Sequence, residues 1–359
     1  MKICHLSTVH QPNDVRIFKK ECISLSNAGH DISFVVPHEK SEVQQSIEII
    51  SIPSSMSKAS RLLVQPFRLL MKALSVKPDV FHFHDFELWP IGLILRVLGY
   101  KVIADVHEDV PAQLRQREWI PKLIKPSLSF ISSLIENNFS RFMTGVIVAD
   151  TTLAKRFSKY NRNVVTICNY PILYPLPEAK SNNGTFRVLS VGGVFNERCA
   201  DLVIGASRHL SDVSFLIGGG VGGQYSDLSW QSENCHYLGK LSFEEVQQEY
   251  SQADVIVVMF SDAPNHQDIK SNRFFESMYA KKPVLVSALP QWKEFIRKYQ
   301  CGVAVSLDSS MDLANAITHL KENPSLCEEM SENGQKAVLK AYSWTSEEAK
   351  LIKFYRELQ

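Results

Sequence analysis

The sequence predicts an α/β protein of two doubly wound parallel sheets, and three observations carry that expectation. Its 359 residues exceed one ordinary core, at roughly 150 residues per domain. Short β-branched or aromatic runs alternate with longer helical patterns, as βαβ units require. A proline-rich break near the middle splits that rhythm into two series.

The first series of strand-like runs is Lys2–Ser7, Asp31–Pro37, Ile47–Ile52, Val80–Asp85, Lys101–His107, Gly145–Asp150 and Val164–Asn169. Its first crossover helix, near Val15–Asn27, is expected to stop at Ala28-Gly29, where glycine supplies a left-handed residue. The stretch Tyr170–Thr185 (YPILYPLPEAKSNNGT) holds three prolines and then polar residues, which cannot continue helix or strand and read as a linker. The second series is Phe186–Gly193, Ser214–Gly219, Cys235–Gly239, Val255–Phe260, Pro283–Ala288 and Gly302–Leu307. Domain limits are therefore set at 1–172, a linker at 173–185, 186–341, and a final helix at 342–359 that packs back on the first domain.

Hydrophobic residues at 45% and charged residues at 21% allow substantial cores and exclude a disordered chain. A net charge of +1 offers nucleic acid no global attraction. The halves differ: residues 1–175 hold 21 Lys+Arg against 15 Asp+Glu, the remainder 18 against 23. The seven scattered cysteines read as reduced, buried thiols, and no CxxC or Cys/His spacing suggests a structural metal. MKICHLSTVHQPND enters a strand directly without an export signal's apolar core, so a cytoplasmic protein is expected. The apolar stretches Leu62–Leu74 and Leu88–Ala104 are interrupted by Arg68 and Lys72, and by Arg96 and Lys101, which argues against membrane spans.

Open parallel sheets bind ligands at the carboxyl ends of their strands, so the residues after each run are the candidates. After Val255–Phe260 comes SDAPNHQDIKSNRFFESMYAKKPVLV. Ser271 is a plausible N-cap there; the N–H groups after it, at Asn272 and Arg273, would point from a helix start and can hold a phosphate. Asp268 and Glu276 stand eight apart, a spacing that alone assigns nothing. His82 and His84 alternate along one strand, which signals pleat geometry before metal binding.

SNRFFESMYAKKPVLVS, VLSVGGVFNER, HYLGKLSFEEVQQEYSQADVIVV and YSWTSEEAKLIKFYREL resemble family-4 glycosyltransferases, in the same order and at similar intervals. So do HQPNDVRIFKKECISLSNAGHDISFV, PDVFHFHD, KVIADVHEDVP and VVTICNYP in the first half. The resemblance covers nearly the whole chain and implies the GT-B fold: two Rossmann-like domains facing across a cleft, acceptor domain first and nucleotide-sugar donor domain second. It implies that Glu276 binds the donor ribose, as the second acid of an E-x7-E motif, and that Asp268 stands where many members carry glutamate. Arg198 matches the basic residue that pairs with the donor diphosphate, a task its forked guanidinium suits. Many relatives carry another arginine about where Gly193 stands; Arg273 or Lys270 is the expected substitute.

The segment Leu238–Leu241, with Lys240 and Leu241, resembles the backbone stretch that reads the nucleotide base. Gly218–Gly223 lacks a clear dinucleotide fingerprint and fits a tight turn better. His107 matches a histidine beside the anomeric centre, and His84 is taken with the acceptor side. The loop HQPNDVRIF, with His10, Asp14 and Arg16, lies where the family closes over donor phosphate and acceptor. Asp14 and Arg16 equally fit a role in capping and pairing on the next helix.

The resemblance thus implies a retaining, metal-independent transferase with no cofactor beyond its nucleotide-sugar co-substrate, taken as UDP- ahead of GDP-sugar. Its expected product is a surface polysaccharide carrying a hexose-type residue. The basic, apolar stretches Lys58–Lys77 and Arg115–Arg141, the latter with Trp119, suit an anionic membrane surface, hence a lipid-linked saccharide acceptor at the inner face of the cytoplasmic membrane. A helix break is expected near Pro66. A same-fold sugar-nucleotide epimerase and a non-catalytic sugar-nucleotide-binding partner remain the alternatives.

Overall fold

The computed structural model describes residues 1–54, 57–116, 120–177, 184–263, 266 and 271–358. It comprises two compact units, one of Met1–Asn169 with Trp344–Gln359 and one of Tyr170–Ser343. Each is built on a single sheet with helices around it.

The first sheet runs β3-β4-β2-β1-β5-β6-β7-β8. Its strands are β1 (Lys2–Leu6), β2 (Asp31–Pro37), β3 (Glu42–Gln44), β4 (Ile47–Ile52), β5 (Val80–Phe83), β6 (Lys101–Val106), β7 (Gly145–Val148) and β8 (Val164–Thr166). All neighbours pair parallel except β3, which the apolar pattern does not announce. It folds back antiparallel on β4 through Gln45 and Ser46, both left-handed (φ 49° and 65°), as a two-residue hairpin demands. Strand order reverses between β1 and β5, so the loops after them form the switch point where such sheets bind ligands.

The helical segment after β1 begins as a π-helical stretch, Val15–Cys22, and continues as α1 (Ile23–Asn27). The Asp14 carboxylate caps it by accepting from the backbone N–H groups of Arg16 and Ile17 at 2.8 and 2.9 Å, and left-handed Gly29 (φ 87°) follows its end. The region around Pro66 restarts rather than kinks: α2 (Lys58–Leu63) stops, and α3 (Gln65–Val76) takes Pro66 into its first turn, where the missing N–H costs nothing. Next come α4 (Trp89–Val97), α5 (Val110–Gln116), α6 (Lys125–Ser140) and α7 (Thr151–Phe157). The final helix, Trp344–Glu357, belongs to this unit. Its Trp344 Nε1 donates to Ser24 Oγ at 2.9 Å, Glu347 Oε2 accepts from the Cys168 N–H at 2.8 Å, and Phe354 presses on Gly145.

The second sheet, β11-β10-β9-β12-β13-β14, is wholly parallel. Its strands are β9 (Phe186–Val191), β10 (Val213–Gly218), β11 (Cys235–Tyr237), β12 (Val255–Val258), β13 (Val284–Ser287) and β14 (Gly302–Val305). Around them lie α8 (Ala200–Ser207), α9 (Phe243–Gln252), α10 (Asn272–Tyr279), α11 (Pro290–Tyr299), α12 (Ser310–Glu322) and α13 (Pro324–Ala341). Val188, Phe215, Val257, Leu285, Leu313 and Ile317 anchor its core. Order reverses between β9 and β12, so the loops after those strands are the second switch point.

Candidate functional site

In the first unit the switch point gathers histidines around one carboxylate. His5 on β1 lies directly opposite His82 on β5, so their side chains share a face. His84 follows two residues on, and its Nε2 meets His5 Nδ1 at 3.0 Å. From the end of β6, Asp105 Oδ2 receives His84 Nδ1 at 3.1 Å and His107 Nε2 at 2.7 Å. Burial opposes ionisation of Asp105, but the Arg16 guanidinium, His107 and the bond from His84 outweigh it and hold the carboxyl well below its usual range. Burial pushes His5 well down and His84 to about 4, so both rings stay neutral.

Arg16 turns inward rather than toward an acceptor. Only 6% exposed, it donates from Nη2 to Asp105 Oδ1 at 2.8 Å, places Nε 3.2 Å from Glu21 Oε1, and donates from Nη1 to the Ile167 carbonyl at 3.2 Å. His84 is likewise buried. Asp14 is the cap described above and also meets His10 Nδ1 at 2.9 Å. Burial lowers the His10 pKa, but Asp14, Asp85 and Asp105 raise it more, leaving it above the ordinary value. A pocket of about 290 Å³ opens here, lined by His10, His84, Asp85, Glu87, Asp105 and His107 among others. Asp85 is held at its edge by Ser7 Oγ (2.8 Å) and the Thr8 N–H (2.6 Å).

In the second unit β9 is followed by Gly192 and Gly193, with φ of 112° and 116°. A Cβ on Gly193 would lie 2.4 Å from the Phe195 ring and 3.1 Å from the Gly220 carbonyl, so no arginine fits there. Arg273, one residue into α10, fills that side of the loop instead. A Cβ on Gly192 would stand 1.6 Å from its Nη1, which donates to the Val191 carbonyl at 3.2 Å. Arg198 lies with its guanidinium over the Phe260 ring, 4.1 Å from the centroid, and its buried Nη1 has no hydrogen-bond partner among the described residues. Burial first, and Arg273 next, lower the Arg198 pKa to about 10. Two guanidiniums beside one loop, neither in an ion pair among the described residues, have a chemistry that suits an anion.

Ser271 occupies the N-cap backbone position of α10, but its side chain makes no capping hydrogen bond. Glu276 lies one turn beyond Asn272 and meets the hydroxyl of fully buried Tyr250 at 3.4 Å. Leu241 packs on Gly218, and Gly219 N–H donates to the Gly239 carbonyl at 2.7 Å, which sets the Leu238–Leu241 turn against the glycine loop. Lys240 is exposed. Asp268, Lys270 and Trp119 lie outside the described residues.

Sequence reasoning overlooked Asp105, Asp85 and His5. A charged or polar residue inside an apolar strand was the available signal, since such a group survives burial only when paired. His84, Asp105 and His107 present ligand-type atoms within 4.8 Å of one another, and the 2.7 and 3.1 Å separations to Asp105 are those of direct hydrogen bonds.

Residues 20–170 match the family model Glycosyltransferase Family 4, and residues 177–337 match Glycosyl transferases group 1. No curated protein sequence matches the chain. Among solved structures, sucrose-phosphate synthase from Thermosynechococcus elongatus is similar with a TM-score of 0.78 at 16% identity, covering 99% of this chain and 98% of that one. HepE from Anabaena, solved in complex with UDP-glucose, gives 0.71 at 14% identity over 99% and 100%. WaaG, a glycosyltransferase involved in lipopolysaccharide biosynthesis, gives 0.69 at 13% identity over 97% and 98%. Two matched halves in this order, on two parallel-sheet units of this topology, make the chain a member of the family-4 glycosyltransferases of GT-B fold.

Proposed function

We propose that the protein transfers a hexose-type sugar, with retention and without a metal, from UDP-sugar to a lipid-linked saccharide in surface polysaccharide synthesis. The observation that carries this reading is the pair Arg198 and Arg273 at the glycine loop after β9, with Glu276 one turn further along α10. The two guanidiniums and the helix start suit a diphosphate, and the carboxylate can accept both ribose hydroxyls. Stabilising the departing diphosphate is the main electrostatic demand of the reaction, and fixed cations meet it without reorganisation. HepE, solved with UDP-glucose, supports uridine as the base. The pocket of the first unit has room for one sugar ring, and its carboxylates and imidazoles suit hydroxyl groups.

Helix α6 supports the membrane part of the proposal because, although Ile135 and Phe139 pack on the core, its outer face is also apolar. It buries Ser129, Ser132, Glu136 and Ser140, while Leu128, Phe130, Ile131 and Leu134 are exposed. Leu63, Phe67 and Met71 on α2 and α3 are 58–71% exposed beside Arg68 and Lys72. Such a face matches the acyl boundary and headgroups of an anionic leaflet. Arg61 is already engaged with Glu87 at 3.1 Å, whereas Arg68, Lys72 and Lys77 are exposed and in no ion pair among the described residues. No helix among the described residues is long and apolar enough to cross a membrane.

The test is a panel of nucleotide sugars read first by thermal shift and then by transfer to lipid-linked saccharides, with and without EDTA. UDP-sugars should stabilise the fold and yield a product of retained anomeric configuration in both conditions. Donor binding without transfer, or turnover abolished by EDTA and restored by a divalent ion, refutes the proposal. For the membrane, Phe67→Glu with Met71→Glu should abolish flotation with anionic vesicles; unchanged flotation removes that part.

A further inference from the structure

We infer that Asp105 is a positioning residue that fixes Nε2 of His107 as the donor to its carboxylate, so that in the neutral ring Nδ1 is the acceptor left for a substrate hydroxyl. The assignment follows from the hydrogen-bond chain. Ionised Asp105 only accepts, and its Oδ2 lies 2.7 Å from His107 Nε2 and 3.1 Å from His84 Nδ1, so both nitrogens donate. Neutral His84 has then spent its one proton, and its Nε2 must accept from His5 Nδ1 at 3.0 Å. That leaves His5 Nε2 as a lone pair, and it is the ring nitrogen of His5 that lacks a partner. This proton arrangement satisfies both bonds to Asp105, the His84–His5 bond and the unpartnered His5 Nε2; His84 Nδ1 and His107 Nε2, 3.3 Å apart, then share the carboxylate oxygen as two donors and do not bond each other.

The carboxylate can impose this order because it is itself held from behind. Arg16 grips Asp105 Oδ1 at 2.8 Å, is anchored by the Ile167 carbonyl, and balances the charge of a residue that is fully buried. Exchanging the two nitrogens of His107 would face a carboxylate with a lone pair, at 2.7 Å and in low dielectric. His107 differs from His5 and His84 in exposure: its side chain is 17% exposed where it lines the pocket, and theirs are buried. The ring exposed to the pocket is thus oriented by Asp105, and Asp105 in turn is held by Arg16. The same network gives Arg16 and His84 a shared task, holding Asp105.

This inference rests on the reading of His107 as a sugar-facing group, and the experiment separates the two. The ring nitrogens of His107 are observed by 15N NMR in the intact wild-type protein, assigned with His107→Gln. Nε2 should be the protonated nitrogen and Nδ1 the unprotonated one. In Asp105→Asn the amide can donate to the ring, so the tautomer should invert or become mixed. Turnover should then fall roughly 100-fold, with donor KM within about threefold because the phosphate-binding loop is untouched. The inference fails if wild-type His107 carries its proton on Nδ1, or if Asp105→Asn leaves tautomer and kcat unchanged. It also fails if the wild type holds a stoichiometric divalent ion that Asp105→Asn releases, which would make the three side chains ligands. Full turnover in His107→Ala, with the wild-type tautomer as stated, would instead overturn the sugar-facing reading and leave the Asp105 assignment standing.

Discussion

Gly192→Ala is a small change with a calculable consequence. The new Cβ would stand 1.6 Å from Arg273 Nη1 and 2.0 Å from its Cζ. Non-bonded heavy atoms rest at about 3.5 Å, so the guanidinium must withdraw by roughly 2 Å. That displacement exceeds the tolerance of a hydrogen bond, and a charge-assisted bond to phosphate contributes about 1.5–3 kcal/mol. UDP affinity should therefore fall roughly 10- to 150-fold. The φ of 112° at this residue adds a separate stability cost of about 1–3 kcal/mol for a non-glycine side chain, read as a lower Tm. Calorimetric titration of UDP into wild type, Gly192→Ala, Arg273→Ala and the double variant separates the two effects. If the glycine acts through Arg273, the double variant binds no more weakly than Arg273→Ala alone. Additive losses, or a folded Gly192→Ala that binds UDP as wild type does, would refute the reasoning.

Three further outcomes are expected. Arg198→Ala should weaken both UDP and inorganic pyrophosphate about tenfold or more in the same titration, with a loss that shrinks as salt rises; equal pyrophosphate binding would place Arg198 elsewhere. Glu276→Ala should weaken UDP about tenfold yet leave pyrophosphate unchanged, because the role proposed for Glu276 concerns the ribose alone. Glu136 is held by burial, against the pull of Arg156, at a pKa of about 7 instead of 4.5. A carboxyl raised in the folded state costs stability as pH climbs from the unfolded value to the folded one, here by about 3 kcal/mol in total. Glu136→Gln keeps an acceptor for Arg156 and should flatten the fall in unfolding free energy between pH 5 and pH 7, measured by denaturant titration; an unchanged slope would show that Glu136 ionises normally.

The strands were legible because both faces of a parallel sheet are covered, so each reads as a short apolar run beginning close to the residue where pairing begins. β3 was not, since Glu42, Val43 and Gln44 sit on an edge with little to bury and leave no apolar signature. The exposed apolar face of α6 was hidden for a related reason: the sequence shows which residues alternate with which, not which face meets the core. Arg16 and His84 illustrate the same gap at the site. Both follow or lie near strand ends, where ligands bind, yet direction decides their role and both point inward. The vacancy at Gly193 was visible as a missing arginine, and Arg273 was one of two residues named to fill it. Only the collision it would make with a Cβ on Gly192 shows that the loop and the cation are built around each other.

The final helix carries a consequence for how the chain comes to be folded. Trp344, Phe354 and Tyr355 complete a core whose remaining parts precede residue 170, and Tyr355 closes on His82 at 2.8 Å. During synthesis the second unit must emerge before that closure is possible, a wait of roughly ten to thirty seconds at ordinary elongation rates. The first sheet stays open along that seam while its successor matures, so the histidine chain acquires its last buried partner only after the second unit exists.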